Sequence, residues 1–300
     1  MYVMVHTVAV IGAGTMGNGI AHVFAQAGYP VCLIDVDEAQ LQKALAMIQK
    51  NLDRQQAKEI ITPQQKTDIF SRIRSSTVIA EGVQEADLVI EAATENFAVK
   101  ASIFKQMDEA APGHAILATN TSSISITKIA AATRRPGSVI GMHFMNPVPV
   151  MKLVEVINGY ATRQEVTETI VGISKQLGKV PCVAHDYPGF VANRILMPMI
   201  NEAVWTLFEG IAGVEDIDTI MKLGMAHPMG PLQLADFIGL DVCLSILQVL
   251  HEGFGNPKYA PCPLLKNMVS AGFTGVKSGE GFYQYTAGSK ELKVSQRFLS

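Results

Sequence analysis

Three glycines, Gly12, Gly14 and Gly17, directly follow the apolar run 8–11, and Asp35 closes a second apolar run eighteen residues after Gly17. This spacing predicts a strand, a tight turn, a helix and a second strand that ends in an acid, which is the arrangement that binds a dinucleotide. In that arrangement Gly12 permits the turn, Gly14 admits the pyrophosphate, and Gly17 lets the helix pack against the strand. The start of the helix then offers backbone N–H groups and a positive dipole end to the phosphates.

The acid at position 35 predicts the cofactor. A carboxylate there accepts hydrogen bonds from both hydroxyls of the adenosine ribose and repels a 2′-phosphate, so NAD is favoured over NADP. We therefore predict that Gly12, Gly14, Met16, Gly17 and Asp35 line the cofactor. The alternative is a glycine turn that binds nothing, and it leaves the combination of strand, helix and acid unexplained.

Polar residues follow three further predicted strands, at the sheet edge where α/β proteins bind ligands. They are Glu95, Ser122 and His143. A histidine there can take a proton from an alcohol as hydride leaves, and Glu155 in the next strand could hold the imidazole if the two strands are neighbours. The alternatives are a buried structural histidine and an exposed carboxylate on a strand face.

The order of the predicted elements indicates the fold class. Strands and helices alternate up to about residue 185, which predicts an α/β, Rossmann-type, doubly wound and mostly parallel sheet. After the sequence Asp-Tyr-Pro-Gly at 186–189 nearly every pattern is helical. We therefore expect a dinucleotide-binding domain at 1–185 and an all-α domain at 186–300.

Five segments resemble the L-3-hydroxyacyl-CoA dehydrogenases, and most closely the bacterial 3-hydroxybutyryl-CoA dehydrogenases. The segments are NTSS at 120–123, HFMNP at 143–147, MKLVEV at 151–156, PGFVANR at 188–194 and GEGFY at 279–283. They occur in the order and with the separations of the family, and the resemblance covers roughly residues 6–285. It implies reversible, NAD-dependent oxidation of a short L-3-hydroxyacyl-CoA to the 3-ketoacyl-CoA.

The resemblance also implies a role for individual residues. His143 matches the catalytic base, Glu155 the carboxylate that orients it, Ser122 the serine that bonds the reacting oxygen, and Asn193 the asparagine that holds the acyl group. Four residues match positions that line the nicotinamide and ribose end of the cofactor, namely Glu95, Lys100, Asn146 and Lys277. Asn51 and Lys58 lie where the family meets coenzyme A, although a solvated helix surface explains them equally well.

Composition excludes several other classes of protein. A net charge of −3 over 300 residues gives no basic footprint for nucleic acid. The four cysteines form no CxxC pair, so no local zinc or redox site is expected, and no metal is predicted. The first positive residue is Lys43 and no apolar run is long enough to span a bilayer, so we expect a cytoplasmic protein with no membrane partner.

The segment 232–250 is apolar on more than one helical face. A partner subunit would cover the extra face, and the family resemblance implies a homodimer through the helical domain; a deeply buried helix is the alternative. Two other functions remain open at this point. One is a related dehydrogenase that acts on a free hydroxy or sugar acid, and the other is a non-catalytic NAD-binding structural protein.

Overall fold

The computed structural model describes residues 4–286, 288 and 291–299. The chain forms two compact units, the first ending at Tyr187 and the second beginning at Pro188. That division lies two residues beyond the boundary expected from the sequence.

The first unit is built around one eight-stranded sheet. Its strands are β1 (Val8–Ile11), β2 (Val31–Ile34), β3 (Ile73–Ser76), β4 (Leu88–Glu91), β5 (Ile116–Thr119), β6 (Val139–Phe144), β7 (Leu153–Asn158) and β8 (Val180–His185). Its helices are α1 (Thr15–Gln26), α2 (Glu38–Ala57), α3 (Pro63–Ser71), α4 (Ile79–Val83), α5 (Phe97–Ala110), α6 (Ile126–Ala130) and α7 (Gln164–Gln176).

The strand order is β3-β2-β1-β4-β5-β6-β7-β8, and all neighbours are parallel except β6 and β7. This order confirms the predicted doubly wound, mostly parallel sheet. The chain runs outward from β1 through β2 to β3 and then crosses to β4 on the other side, so a crevice opens at the carboxyl ends of β1 and β4. The inner strands are buried along their whole length because helices cover the sheet.

Local sequence explains where several helices begin. Asp37 caps α2, since its side chain accepts a hydrogen bond from the N–H of Ala39. Thr62 and Gln65 form a reciprocal capping box at the start of α3, where Pro63 supplies the first helical residue. The sequence predicts that His143 follows a strand, but β6 extends to Phe144, so His143 lies inside it.

The second unit is mostly helical. Its helices are α8 (Ala192–Phe208), α9 (Val214–Gly224), α10 (Pro231–Ile238), α11 (Leu240–Phe254) and α12 (Pro263–Ser270). It also contains a small antiparallel sheet of β9 (Tyr283–Gln284) and β10 (Lys293–Val294), which the sequence did not indicate.

The prediction of one long helix at 232–250 is wrong. Gly239 has a φ of +102°, which breaks the segment into α10 and α11 with a bend of 97° between them. Both helices contribute to the core of this unit, so core packing accounts for apolar residues on more than one face. Within the part of the chain that the structure describes, no single helix has the length and apolar character to cross a membrane, and only this bent pair meets both criteria jointly.

Two buried carboxylates tie the second unit together. The carboxylate of Asp236 in α10 accepts hydrogen bonds from the backbone N–H groups of Phe282 and Tyr283, at 3.0 and 2.9 Å. Asp218 in α9 accepts one from the N–H of Leu232 and one from the hydroxyl of Tyr283, each at 2.8 Å. Burial raises the pKa of Asp236 to about 6 despite these hydrogen bonds, and the charge of Asp218 adds to the increase.

This buried carboxyl makes the stability of the second unit depend on pH. The folded-state pKa of Asp236 lies above its usual value, so its contribution to stability is present at low pH and is lost as the pH rises through about 6. We expect the free energy of unfolding to fall between about pH 4 and pH 7 more steeply in the wild type than in Asp236→Asn, by about 2 kcal/mol. The fluorescence of Trp205, the single tryptophan of the chain, reports unfolding of this unit in urea.

Exposed Asp216 supplies the matched control for this comparison. Asp216→Asn should keep the wild-type pH dependence. Equal pH dependence in the wild type and in Asp236→Asn would contradict the expectation.

Candidate active site

The glycine turn after β1 fits a bound pyrophosphate. Gly12 has a φ of +97°, and a Cβ there would lie 2.6 Å from the carbonyl oxygen of Ala92. A Cβ on Gly17 would lie 1.7 Å from the carbonyl oxygen of Gly12. At Gly14, by contrast, a Cβ would meet no atom within 4 Å, and no side chain caps the start of α1. Close packing on one side and open space in front of a helix N-terminus form a cradle for an anion.

Asp35 follows β2 and is attached to the same turn. Its Oδ2 accepts a hydrogen bond from the N–H of Ala13 at 2.7 Å, and its Oδ1 accepts one from the N–H of Asp37 at 3.1 Å. Each oxygen retains a second lone pair for a further donor. Met16, in the first turn of α1, is half-buried and packs against the core of the unit. The predicted cofactor residues of the turn therefore lie together at the sheet crevice.

His143 and Glu155 face each other across neighbouring antiparallel strands. The register of β6 and β7 places them directly opposite, and Nδ1 of His143 lies 2.8 Å from Oε2 of Glu155. Both side chains are buried, with 9% of His143 and 3% of Glu155 exposed. A carboxylate at Nδ1 fixes the proton on that nitrogen and stabilises the charged imidazolium, so proton exchange with a ligand would use Nε2.

Glu95 organises the loop that carries Ser122. Its Oε1 accepts hydrogen bonds from the hydroxyl of Thr121 at 2.6 Å and from the N–H groups of Ser122 and Ser123 at 3.0 Å. Burial alone would raise the pKa of Glu95, but the charge of Lys100 and these hydrogen bonds outweigh it and lower the pKa. Glu95 is therefore an ionised side chain in the loop that follows β4.

A second hydrogen bond joins the loop to the strand of His143. The side-chain oxygen of Asn120 accepts a hydrogen bond from the N–H of Phe144 at 2.8 Å. Ser122 follows β5 and His143 lies in β6. These two strands are adjacent and parallel, so the two residues lie at the same end of the sheet. The structure brings Glu95, Ser122, His143 and Glu155 to one edge of the sheet.

Lys100 lies below this edge, inside the fold. Only 1% of it is exposed, and its Nζ lies 2.9 Å from each oxygen of Glu91 and 3.5 Å from Oε2 of Glu95. Sequence reasoning missed Glu91 and its partner Thr119, which donates a hydrogen bond to Oε2 of Glu91 at 2.7 Å. Glu91 could have been singled out from the sequence, because it is an acid at the end of an otherwise apolar strand.

Sequence reasoning also missed Lys179, just before β8. Its Nζ donates hydrogen bonds to the carbonyl oxygens of Val148 and Met151, at 2.5 and 2.8 Å. These carbonyls belong to the connection between β6 and β7, which contains exposed Asn146 and its cis peptide bond to Pro147. Burial lowers the pKa of Lys179. Lys179 therefore braces the loop that carries Asn146.

The remaining predicted residues lie elsewhere in the fold. Asn51 is half-buried on α2 and Lys58 is exposed just after it, outside the group of strand ends. In the second unit, Asn193 lies in the first turn of α8, and Lys277 pairs with Asp241 at 2.5 Å. Among the described residues, no group of three or more histidine, cysteine or acidic side chains could hold a metal ion.

Comparison with known proteins gives consistent results for both units. Residues 7–187 match the NAD-binding domain of 3-hydroxyacyl-CoA dehydrogenase, and residues 189–285 match the C-terminal domain of the same family. The chain is 53% identical to a 3-hydroxybutyryl-CoA dehydrogenase of Bradyrhizobium diazoefficiens over 285 residues, which are 95% of this chain and 97% of the relative.

More distant and structural comparisons agree. A mitochondrial hydroxyacyl-coenzyme A dehydrogenase of Homo sapiens is 45% identical, with 94% of this chain and 92% of that protein covered. The crystal structure of (S)-3-hydroxybutyryl-CoA dehydrogenase from Ralstonia eutropha has a TM-score of 0.92 and 49% identity, and covers 94% of this chain and 100% of its own. The resemblance seen in the sequence motifs is confirmed: this chain belongs to the 3-hydroxyacyl-CoA dehydrogenase family and has its NAD-binding and C-terminal domains.

Proposed function

We propose that this protein catalyses the reversible oxidation of short-chain L-3-hydroxyacyl-CoA, such as 3-hydroxybutyryl-CoA, by NAD. The buried pair of His143 and Glu155, 2.8 Å apart at the ligand-binding edge of the sheet, is the observation that carries this proposal. The relatives named as 3-hydroxybutyryl-CoA dehydrogenases support the choice of substrate.

The cofactor supplies a hydride acceptor, and the chain supplies the proton acceptor. His143 takes the hydroxyl proton at Nε2 while the hydride leaves the carbinol carbon, so the alcohol becomes a ketone and the imidazole becomes imidazolium. Glu155 holds the proton on Nδ1 and stabilises that positive charge. In the reverse reaction His143 returns the proton to the oxygen, so the same pair serves both directions.

Ser122 and Asn193 position the substrate in this mechanism. The hydroxyl of Ser122 donates a hydrogen bond to the reacting oxygen, which orients the carbinol carbon for hydride transfer. Asn193, at the start of α8, holds the acyl group. Asn146 and Lys277 join Glu95 around the nicotinamide and ribose, with buried Lys100 behind Glu95 rather than in contact with the cofactor. Asn51 and Lys58 contact coenzyme A.

The helical unit also supplies a subunit interface in this proposal. Large apolar side chains are exposed close together in the sequence, at Phe208, Ile211, Ile220, Leu223 and Met225. Exposed apolar surface of this kind is typical of protein interfaces, so we propose a homodimer that buries these residues. The four cysteines are free, which fits our proposal of a cytoplasmic location, where thiols remain reduced.

Acetoacetyl-CoA reduction tests the proposed activity. The wild type should consume NADH when acetoacetyl-CoA is added, with little turnover of free acetoacetate and a clear preference for NADH over NADPH. His143→Gln should lower kcat by roughly 10²–10⁴ while NADH binding is retained, because only the proton acceptor is lost. Absorbance at 340 nm measures turnover, and nucleotide fluorescence measures binding.

The assay also separates the rival functions. Preferred turnover of a free hydroxy acid over its CoA thioester would favour the related dehydrogenase class, and NADH binding without any turnover would favour a non-catalytic protein. Near-wild-type kcat in His143→Gln would rule out His143 as the base.

Substitution of the exposed residues of α9 tests the interface. Ile220 and Leu223 lie three residues apart and so share one helix face. The double variant Ile220→Asp, Leu223→Asp should behave as a monomer in light scattering, since two buried charges would oppose association. Tyr160→Asp, at an exposed site of the first unit, should remain dimeric. A monomeric wild type, or a dimeric double variant, would refute this interface.

A further inference from the structure

Glu91 is a charged residue that the proposed mechanism does not use. It ends the buried strand β4 and is fully buried itself, yet its carboxylate accepts hydrogen bonds from the N–H of Ala93 at 2.7 Å and the hydroxyl of Thr119 at 2.7 Å. Lys100 completes the set, with Nζ at 2.9 Å from both oxygens. A carboxylate with this many partners in the interior is held in one position.

Lys100 makes its shortest contacts with Glu91, and its charge also acts on Glu95. A buried ammonium requires an opposite charge, and Glu91 provides a symmetric pair of short contacts. The distance from Nζ to Glu95 is longer, 3.5 Å. Two carboxylates therefore share one ammonium, which leaves the cluster of Glu91, Lys100 and Glu95 with a net charge of −1.

The remaining negative charge lies on Glu95, nearer the surface. The partners of its Oε1 are neutral groups of the loop, Thr121, Ser122 and Ser123, so they hold the carboxylate without cancelling its charge. This loop lies beyond β4 and β5, on the opposite side of the glycine turn from Asp35. With the ribose of adenosine at Asp35, the topology places the nicotinamide half of a dinucleotide on the Glu95 side.

We propose that Glu91 is a positioning residue that neutralises Lys100, so that the uncompensated charge of Glu95 favours the positively charged ring of NAD+ relative to the neutral ring of NADH. The inference rests on the proposed function for the orientation of the cofactor. It gives a functional reason for a buried ion pair, because replacing such a pair with apolar groups often costs little stability.

Binding of the two forms of the cofactor provides the test. Glu91→Gln removes one negative charge from the cluster, whose formal charge becomes zero. The Kd of NAD+ should then rise on the order of tenfold relative to that of NADH, as expected for one charge acting across about 10 Å at an effective dielectric constant of about 20. Calorimetry for NAD+ and fluorescence for NADH give this ratio. A ratio equal to that of the wild type would overturn the proposal, as would equal weakening of both forms.

Matched variants keep the test decisive if Glu91→Gln does not fold. The double variant Glu91→Gln, Lys100→Met removes a neutral pair without leaving a buried charge, so the ratio should stay at its wild-type value. Glu95→Gln should raise the ratio as Glu91→Gln does. Glu85→Gln, at an exposed site before the amino end of β4, should not change it. A changed ratio in the double variant, or an unchanged one in Glu95→Gln, would contradict the proposal.

The outcome is separable from that of the proposed function. A wild type that binds both nucleotides but does not reduce acetoacetyl-CoA would refute the activity while the ratio still decides the role of Glu91. A wild type that binds neither nucleotide would overturn both.

Discussion

Burial of the inner strands is the constraint on which the rest of this molecule depends. β1, β4, β5 and β6 are buried along their whole length, so an ionised side chain on them must be paired or lie where the strand ends. Glu91 satisfies both conditions, because it is the last residue of β4 and binds Lys100. Since these strands are parallel, their carboxyl ends coincide, and the polar groups needed for chemistry are gathered at one edge.

One antiparallel strand modifies this arrangement and produces the reactive pair. The chain returns from β6 to β7 through a short connection rather than a helical crossover, which places Glu155 opposite His143. Lys179, directly before β8, donates hydrogen bonds to two carbonyl groups of that connection and so fixes its path. A carboxylate and an imidazole that meet in the interior form a strong hydrogen bond because water does not compete for it.

Much of this could be predicted from the sequence, and the exceptions have physical causes. The buried strands and the glycine turn were predictable, since wholly apolar runs and glycines at close backbone contacts have strong signatures. The edge strands β3 and β8 were not predicted, because β3 (IRSS) has no apolar pattern and the apolar run of β8 (VPCVAH) contains a proline. The break at Gly239 was missed since both flanking segments share a helical period. The contact of Lys100 with Glu91 depends on how α5 packs over β4, which spacing along the chain does not specify.

The dependence of Glu155 on His143 is the central claim of this account, and a double-mutant cycle in kcat tests it most directly. The enzyme is assayed with acetoacetyl-CoA and NADH as the wild type, Glu155→Gln, His143→Gln and the double variant. If Glu155 acts only through the imidazole, Glu155→Gln should slow the wild type and produce no further loss in the His143→Gln background. Independent losses that multiply in the double variant would contradict the account.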